Sequence, residues 1–138
     1  MPKPKPKPKA FAILVHTGLG AGHYDFLLEH SGGALAQTWQ FSDAPSLLLP
    51  PPGGLGAAEK LEIIGRKIQG HRLMYLDYEG PVSNGRGQVQ RLDGGTYEII
   101  SQADGLLVFA LAGRTMKGIF ALERTAGHWT LRACRMEQ

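Results

Sequence analysis

The chain has 138 residues, which suits one domain with a single core and leaves little room for a second. Its only cysteine, Cys134, excludes a disulfide within the chain, and no apolar run reaches the roughly 18 to 20 residues of a membrane-spanning helix. We therefore expect a soluble, cytoplasmic protein with no membrane partner. The 19 glycines and 9 prolines indicate many turns.

The net charge of +3 comes from the N-terminus. Four lysines that alternate with proline supply it: Lys3, Lys5, Lys7 and Lys9. They are four of the 15 basic residues, so the rest of the chain has 11 basic against 12 acidic residues, a net charge of −1. We predict a disordered basic tail over 1–9, extended like polyproline II, and a single domain over 10–138. Such a tail either adds salt-dependent affinity for nucleic acid phosphates or is a plain solvated terminus.

Short β-rich runs between turn signals predict an all-β fold, a small closed or nearly closed β-barrel of about eight strands. The predicted strands are 10–16, 23–30, 34–41, 71–78, 87–92, 96–101, 106–111, 117–123 and 128–133. The Asp-Gly-Gly sequence at 93–95 predicts a hairpin turn, and 42–58, with four prolines and three glycines, predicts a surface loop. Over 59–69 the spacing of Leu61, Ile64 and Ile68 favours one short helix that flanks or plugs the barrel.

The first two predicted strands carry three side chains that can bind a metal ion: His16, His23 and Asp25. Residues two apart on a strand share a face at roughly 6.6 to 7 Å, a span that an imidazole and a carboxylate can close around one ion with bonds of about 2 Å. The intervening residues are predicted to face the core: Tyr24, Phe26 and Leu28. Taken alone, His-x-Asp is a common pattern, and His16 could simply end a strand while Asp25 caps a turn.

Several longer segments together resemble a known family, the 3′-phosphoesterase domain of bacterial DNA ligase D and its small stand-alone relatives. The most specific are HYDFLLE (23–29), followed by QTWQF (37–41), and HRLMY (71–75), followed by DYEG (77–80). Further segments occur in the expected order: GRGQV (85–89), GTYE (95–98), KGIFALER (117–124) and WTL (129–131). The resemblance covers the chain from about Phe11 to Arg132.

The resemblance implies an eight-stranded barrel that trims damaged or ribonucleotide-bearing 3′ ends in DNA repair by end joining. Carried over by position, His16, His23 and Asp25 would hold Mn²⁺, with Zn²⁺ as the alternative ion. His71 would contact the scissile phosphate or protonate the leaving oxygen, and Tyr75 would form a hydrogen bond nearby. The implied partners are nucleic acid 3′ ends and a separately encoded DNA ligase or polymerase.

The sequence departs from the family pattern at Leu27, where the catalytic domains have an arginine on the face of His23 and Asp25. A leucine cannot form the bidentate, charge-assisted pair that a guanidinium makes with phosphate. The missing charge could come from another strand or loop, and spacing selects none of three candidates: Arg86, Arg72 and Arg66. The His16-to-His23 spacing is also one residue longer than the family pattern, and the loop before Gly85 is shorter.

Three classes of function remain after this comparison. The first is an active metal-dependent phosphoesterase, and the second is an inactive relative that binds nucleic acid ends or a protein partner. The third is an unrelated iron enzyme, because His-x-Asp with a later histidine also describes the facial triad of oxygenases. The third explains fewer residues, since the sequence after His71 has no Arg-x-Ser anchor for an oxo-acid.

Overall fold

A computed structural model describes residues 8–18, 20–30, 33–50 and 56–134, and this part of the chain contains nine β-strands and no α-helix. The strands are β1 (Lys9–Thr17), β2 (His23–Leu28), β3 (Leu35–Phe41), β4 (Glu62–Arg72), β5 (Gly80–Pro81), β6 (Gln88–Ala103), β7 (Leu106–Gly113), β8 (Lys117–Thr125) and β9 (His128–Cys134). Two short 3-10 turns cover Pro45–Leu48 and Leu73–Leu76.

Eight of these strands form one antiparallel ring. The order is β1-β2-β3-β4-β9-β8-β7-β6, and the pairing of β6 with β1 closes it, while the two-residue β5 pairs with the start of β6. Closure removes most of the free strand edges that an open sheet would expose. The predicted all-β barrel of eight strands is confirmed, and the predicted flanking helix is absent from the described residues.

The interior of the ring is a single apolar core to which all eight ring strands contribute. One buried member from each strand is Phe11, Phe26, Trp39, Ile63, Tyr97, Phe109, Phe120 and Leu131. The period of two along each strand accounts for this, because alternate residues point inward. The prediction that Phe26 and Leu28 face the core is confirmed, and Tyr24 packs against it.

A second, smaller apolar cluster covers the outer face of β1, β2, β3 and β6. Its buried members are Ala12, Leu14, Leu27, Ala36, Leu76 and Val89. The segment after β4 covers this cluster, since Tyr75, Tyr78 and Val82 pack against it. These strands are therefore packed on both faces, and polar side chains of the outer face lie partly enclosed rather than in open solvent.

The predicted helix over 59–69 and the predicted strand over 71–78 are wrong. One strand, β4, runs from Glu62 to Arg72, and the 3-10 turn Leu73–Leu76 follows it. The helical spacing was misleading because Leu61 is 81% and Ile64 55% exposed, so no apolar helical face is buried. The β-branched isoleucines fit a strand, and Gly65 permits close approach, since a Cβ there would lie 2.2 Å from the Gln40 carbonyl oxygen.

The predicted hairpin turn at Asp93-Gly94-Gly95 is also wrong, because these residues lie inside the 16-residue strand β6. The Asp93 carboxylate accepts hydrogen bonds from its neighbour Gly94 and from the turn between β7 and β8, rather than from a hairpin of its own. Gly95 lies where a Cβ would come within 2.1 Å of the Ala112 carbonyl oxygen. Gly95 thus permits close strand packing, and Gly94 leaves room for the Arg91 side chain, whose Nη2 would lie 1.9 Å from a Cβ there.

The remaining predictions concern the ends and the loop. Within the predicted loop 42–58, Pro45–Leu48 forms a 3-10 turn that buries Pro45 and Leu48, and residues 51–55 lie outside the described part. Lys3, Lys5 and Lys7 of the predicted tail also lie outside it, whereas Lys9 begins β1 opposite Tyr97. In the described ranges, no helix is long and apolar enough to cross a membrane.

Candidate metal centre

The β1–β2 hairpin brings His16, His23 and Asp25 together. His16 and His23 are directly opposite each other in the register. Asp25 is two residues beyond His23 on the same face of β2, opposite Leu14. The imidazole rings lie 4.8 Å apart between centroids at 67°, and one potential ligand atom from each of the three residues lies within 4.8 Å of the others. The predicted cluster is therefore present, positioned by strand register.

Asp25 is the buried member of this cluster, with 1% of its surface exposed. Neither carboxylate oxygen accepts a hydrogen bond within the described structure. His23 Nε2 and His71 Nε2 each lie 3.4 Å from Oδ2, beyond ordinary hydrogen-bond length. A buried carboxylate without donors is costly unless a cation compensates it, and two imidazoles with one carboxylate suit Mn²⁺, Zn²⁺ or Fe²⁺. The residues present fit a divalent metal ion.

A backbone carbonyl orients the His16 imidazole. His16 Nε2 lies 2.6 Å from the carbonyl oxygen of Arg86, in the loop before β6. A carbonyl can only accept, so Nε2 carries the proton in this bond and Nδ1 has the free lone pair. Such hydrogen bonds fix the tautomer and ring angle of metal-binding histidines.

His71 joins the cluster from the end of β4. Its backbone N–H donates to the hydroxyl of the buried Thr38, at 3.3 Å, which anchors the strand end beside Asp25. The His71 ring meets Tyr75 edge to face at 5.6 Å, and Tyr75 meets Tyr78 in the same way at 5.4 Å. His71 and Tyr75 thus line the site side by side, and Tyr78 packs behind Tyr75.

The His/Asp cluster lies at a cavity of about 520 Å³. Its lining is His16, His23, Asp25, Gln40, Arg66, Ile68, Gln69, Gly70, His71, Arg72, Tyr75, Val82, Arg86 and Val89. The structure therefore brings together the predicted metal ligands, His71 and Tyr75, and all three candidate arginines. Of the predicted lysines, only Lys9 is described, and it does not line this cavity.

The three arginines differ in their contacts. Arg66 donates from Nε and Nη2 to Gln40 Oε1, at 3.0 and 2.8 Å. Arg86 donates to the carbonyl oxygen and hydroxyl of Ser83 in its own loop. The Arg72 side chain makes no hydrogen bond or ion pair within the described ranges. Sequence reasoning did not single out Gln40, because a lone glutamine in a strand has no distinguishing pattern and only strand register places it here.

Leu27 lies on the predicted face, next to Asp25 along β2, and is fully buried. Its neighbours in the outer cluster are apolar, among them Leu14, Leu76 and Val89. Position 27 is therefore part of the packing under the site in this protein and offers no charge to the cavity.

Fold and site together define a small β-barrel protein with a His/Asp cluster at a cavity that three arginines line. The family described as "DNA Ligase D 3′-phosphoesterase domain" matches residues 16–124, most of the chain, and the protein belongs to this family. The matched range contains every residue that lines the cavity. A search among curated proteins found no match.

Proposed function

We propose that this protein is a divalent-metal-dependent phosphoesterase that processes the 3′ ends of DNA or RNA in DNA repair. The observation that supports this most is Asp25, a buried carboxylate with no hydrogen-bond donor that lies within reach of His23 and His71. A protein that needed this aspartate only for folding would surround it with donors. An ion-binding centre requires the oxygens to be available.

In this proposal His16, His23 and Asp25 hold the ion. Two imidazole nitrogens and one carboxylate oxygen do not select a single metal, and we expect Mn²⁺, with Zn²⁺ as the alternative. When bound, the ion would act as a Lewis acid on a phosphoryl oxygen and offset the negative charge that develops there. The Arg86 carbonyl would hold the His16 ring at the angle that ligation requires.

His71 and Tyr75 have the second set of roles. The His71 imidazole faces the cavity beside Asp25, where it would donate a hydrogen bond to the phosphate or a proton to the leaving oxygen. Tyr75 packs edge-on against it, which restricts rotation of the imidazole, and its hydroxyl would be a further donor to the same group.

Basic residues would supply affinity for a polyanion. Arg66, Arg72 and Arg86 line the cavity, and the tail lysines Lys3, Lys5, Lys7 and Lys9 would add contacts to backbone phosphates farther from the end. A trimmed 3′ end is the substrate of a polymerase or ligase, so a separately encoded enzyme of either kind would act next.

The test is a gel assay on a labelled primer–template that ends in a 3′-phosphate or a single 3′-ribonucleotide, with added Mn²⁺. We expect trimming by the wild type and none by His23→Ala. His128→Ala is the matched control, because His128 lies on β9 and does not line the cavity. Absence of trimming by the wild type, with intact folding and bound Mn²⁺, would contradict the proposal.

Leu27 favours a second candidate, a non-catalytic relative that binds nucleic acid ends or a partner protein. Its apolar surroundings remove one phosphate-binding position from the centre while leaving the His/Asp cluster in place. Measured affinity for both Mn²⁺ and a 3′-phosphorylated oligonucleotide, without turnover, would support this candidate over the first.

A further inference from the structure

Asp25, Gln40 and Arg66 form a row across three neighbouring strands. Asp25 is directly opposite Gln40 in the β2–β3 register, and Gln40 is directly opposite Arg66 in the β3–β4 register. Opposite residues on antiparallel strands share a face, and strands lie about 4.8 Å apart, so the Arg66 backbone lies about 10 Å from that of Asp25. An arginine side chain can span much of this distance.

Gln40 fixes the direction of the Arg66 side chain. Its Oε1 accepts from both Nε and Nη2, at 3.0 and 2.8 Å. A guanidinium has five N–H donors, so three remain for a ligand in the cavity. Because glutamine is neutral, this contact positions the guanidinium without cancelling its charge, which an acidic partner would do.

The other two arginines of the cavity are placed differently. The hydrogen bonds of Arg86 go to Ser83, three residues earlier, and turn its side chain back onto an exposed loop. Arg72 lies at the end of β4 opposite the exposed Leu35, with no hydrogen bond in the described structure to orient it. Arg66 alone among these three is held on a strand in the row of Asp25.

We propose that Arg66 binds the phosphate group of the nucleic acid end at this centre and that Gln40 is its positioning residue. The inference rests on the proposed function and states which residue recognises the anion. β2 offers no cation, because Leu27 is packed in the outer cluster, so the guanidinium approaches from β4, two strands away. Pre-orientation by Gln40 reduces the side-chain entropy lost on binding.

The experiment compares fluorescence anisotropy of a labelled oligonucleotide that ends in a 3′-phosphate with one that ends in a 3′-hydroxyl, with Mn²⁺ present. All proteins carry His71→Asn, so that the phosphate is not removed during titration. Within this background we expect Arg66→Gln to weaken binding of the 3′-phosphate about 10- to 100-fold, as for loss of a charged hydrogen bond, and binding of the 3′-hydroxyl far less. Arg72→Gln is the matched control, with a smaller loss that is equal for both ends.

Gln40→Ala tests the positioning role through coupling. Alone it should weaken 3′-phosphate binding about 3- to 5-fold, and in the presence of Arg66→Gln it should have no further effect, because residues in one network are not additive. A purely structural role for Gln40 would give the same loss in both backgrounds and would overturn the positioning assignment.

Two outcomes separate this inference from the function on which it rests. If the His71→Asn protein prefers the 3′-phosphate and Arg66→Gln keeps that preference, the assignment of Arg66 is wrong while the phosphoesterase proposal stands. If the His71→Asn protein shows no preference for the 3′-phosphate and the wild type also fails to trim, the assignment of Arg66 and the phosphoesterase proposal are both overturned.

Discussion

Two aspartates, Asp93 and Asp25, are buried in the described part of this barrel, and they differ in the hydrogen bonds that their carboxylates accept. Asp93 is 6% exposed and accepts four backbone N–H bonds, from Gly94, Arg114, Thr115 and Met116, at 2.7 to 3.2 Å. Asp25 is 1% exposed and accepts none. The donors around a carboxylate, not its burial, therefore separate an aspartate that holds the fold from one that is available to a ligand.

The two aspartates are also expected to contribute differently to the free energy of unfolding. Asp93 joins β6 to the turn between β7 and β8. Its hydrogen bonds with backbone N–H groups replace those that the carboxylate would make with water in the unfolded chain. Asp25 is stabilised by nothing comparable and is surrounded by three histidines. We infer that Asp25 lowers the free energy of unfolding of the metal-free protein and that a bound cation would offset this loss.

The largest effect is expected for Asp93→Ala. Removing this carboxylate leaves four N–H groups without their acceptor, one of them on the buried Met116, and we expect a loss of about 3 to 4 kcal/mol in the free energy of unfolding. Asp93→Asn keeps one carbonyl oxygen and should lose less than half of that. Urea denaturation measures both, and a loss below about 0.5 kcal/mol for the alanine variant would show that these bonds are dispensable.

Asp25→Asn should act in the opposite direction on stability. We expect about 100-fold weaker Mn²⁺ binding, about 2.7 kcal/mol, because the anionic ligand is lost. In EDTA the free energy of unfolding should stay the same or rise by about 1 kcal/mol, since an uncompensated buried charge is removed. Calorimetric titration and thermal unfolding test the two parts. Destabilisation comparable to that of Asp93→Ala would refute the distinction between the two aspartates.

Leu27→Arg adds a charge beside Asp25 in place of removing one. The side chain is fully buried among Leu14, Leu76 and Val89, so we expect a loss of about 2 kcal/mol in unfolding free energy and no gain in 3′-end trimming. Leu27→Met is the volume-conserving control, with a loss under about 1 kcal/mol. A stable Leu27→Arg protein with faster trimming would show that the outer cluster accepts a guanidinium.

Tyr97 is a third buried acid and should give the smallest effect. Burial, reinforced by the charge of Glu29, raises the pKa of its phenol to about 12 from 10.0, and the hydroxyl donates to the Glu29 carbonyl oxygen. Between these pH values the unfolded chain releases a proton that the folded protein retains, so rising pH favours unfolding. The advantage of the wild type over Tyr97→Phe, about 1 kcal/mol at neutral pH, should therefore decline from pH 10 upward in urea denaturation curves.

Much of the barrel could be predicted because short β-rich runs lie between turn signals rich in glycine and proline. β4 could not, because Leu61 and Ile64 are exposed apolar residues that imitate a helical stripe. The sequence could not predict that β6 is one continuous strand rather than two strands with a turn at 93–95. The hydrogen-bond partners of Asp93 lie more than 20 residues away, at Arg114 to Met116, where no local turn signal reveals them.

The site, too, could be predicted only where local sequence patterns place its residues. The cluster of His16, His23 and Asp25 was predictable from the two-residue period of strands and a short connection. His71 required the family resemblance, and Gln40 could not be found from sequence because it matters only through its register with Asp25 and Arg66.

The pairing of β1 with β6 has a consequence for how the protein folds. Lys9 pairs with Tyr97, 88 positions along the chain, whereas β1–β2 and β2–β3 are joined by short connections. Contacts at such long range form late and slow folding, because the intervening chain must lose its entropy first. The bond from His16 to the Arg86 carbonyl crosses this closing seam. We therefore expect the contact that orients the His16 ring to form late in folding, after the β1–β2 hairpin that carries His16, His23 and Asp25.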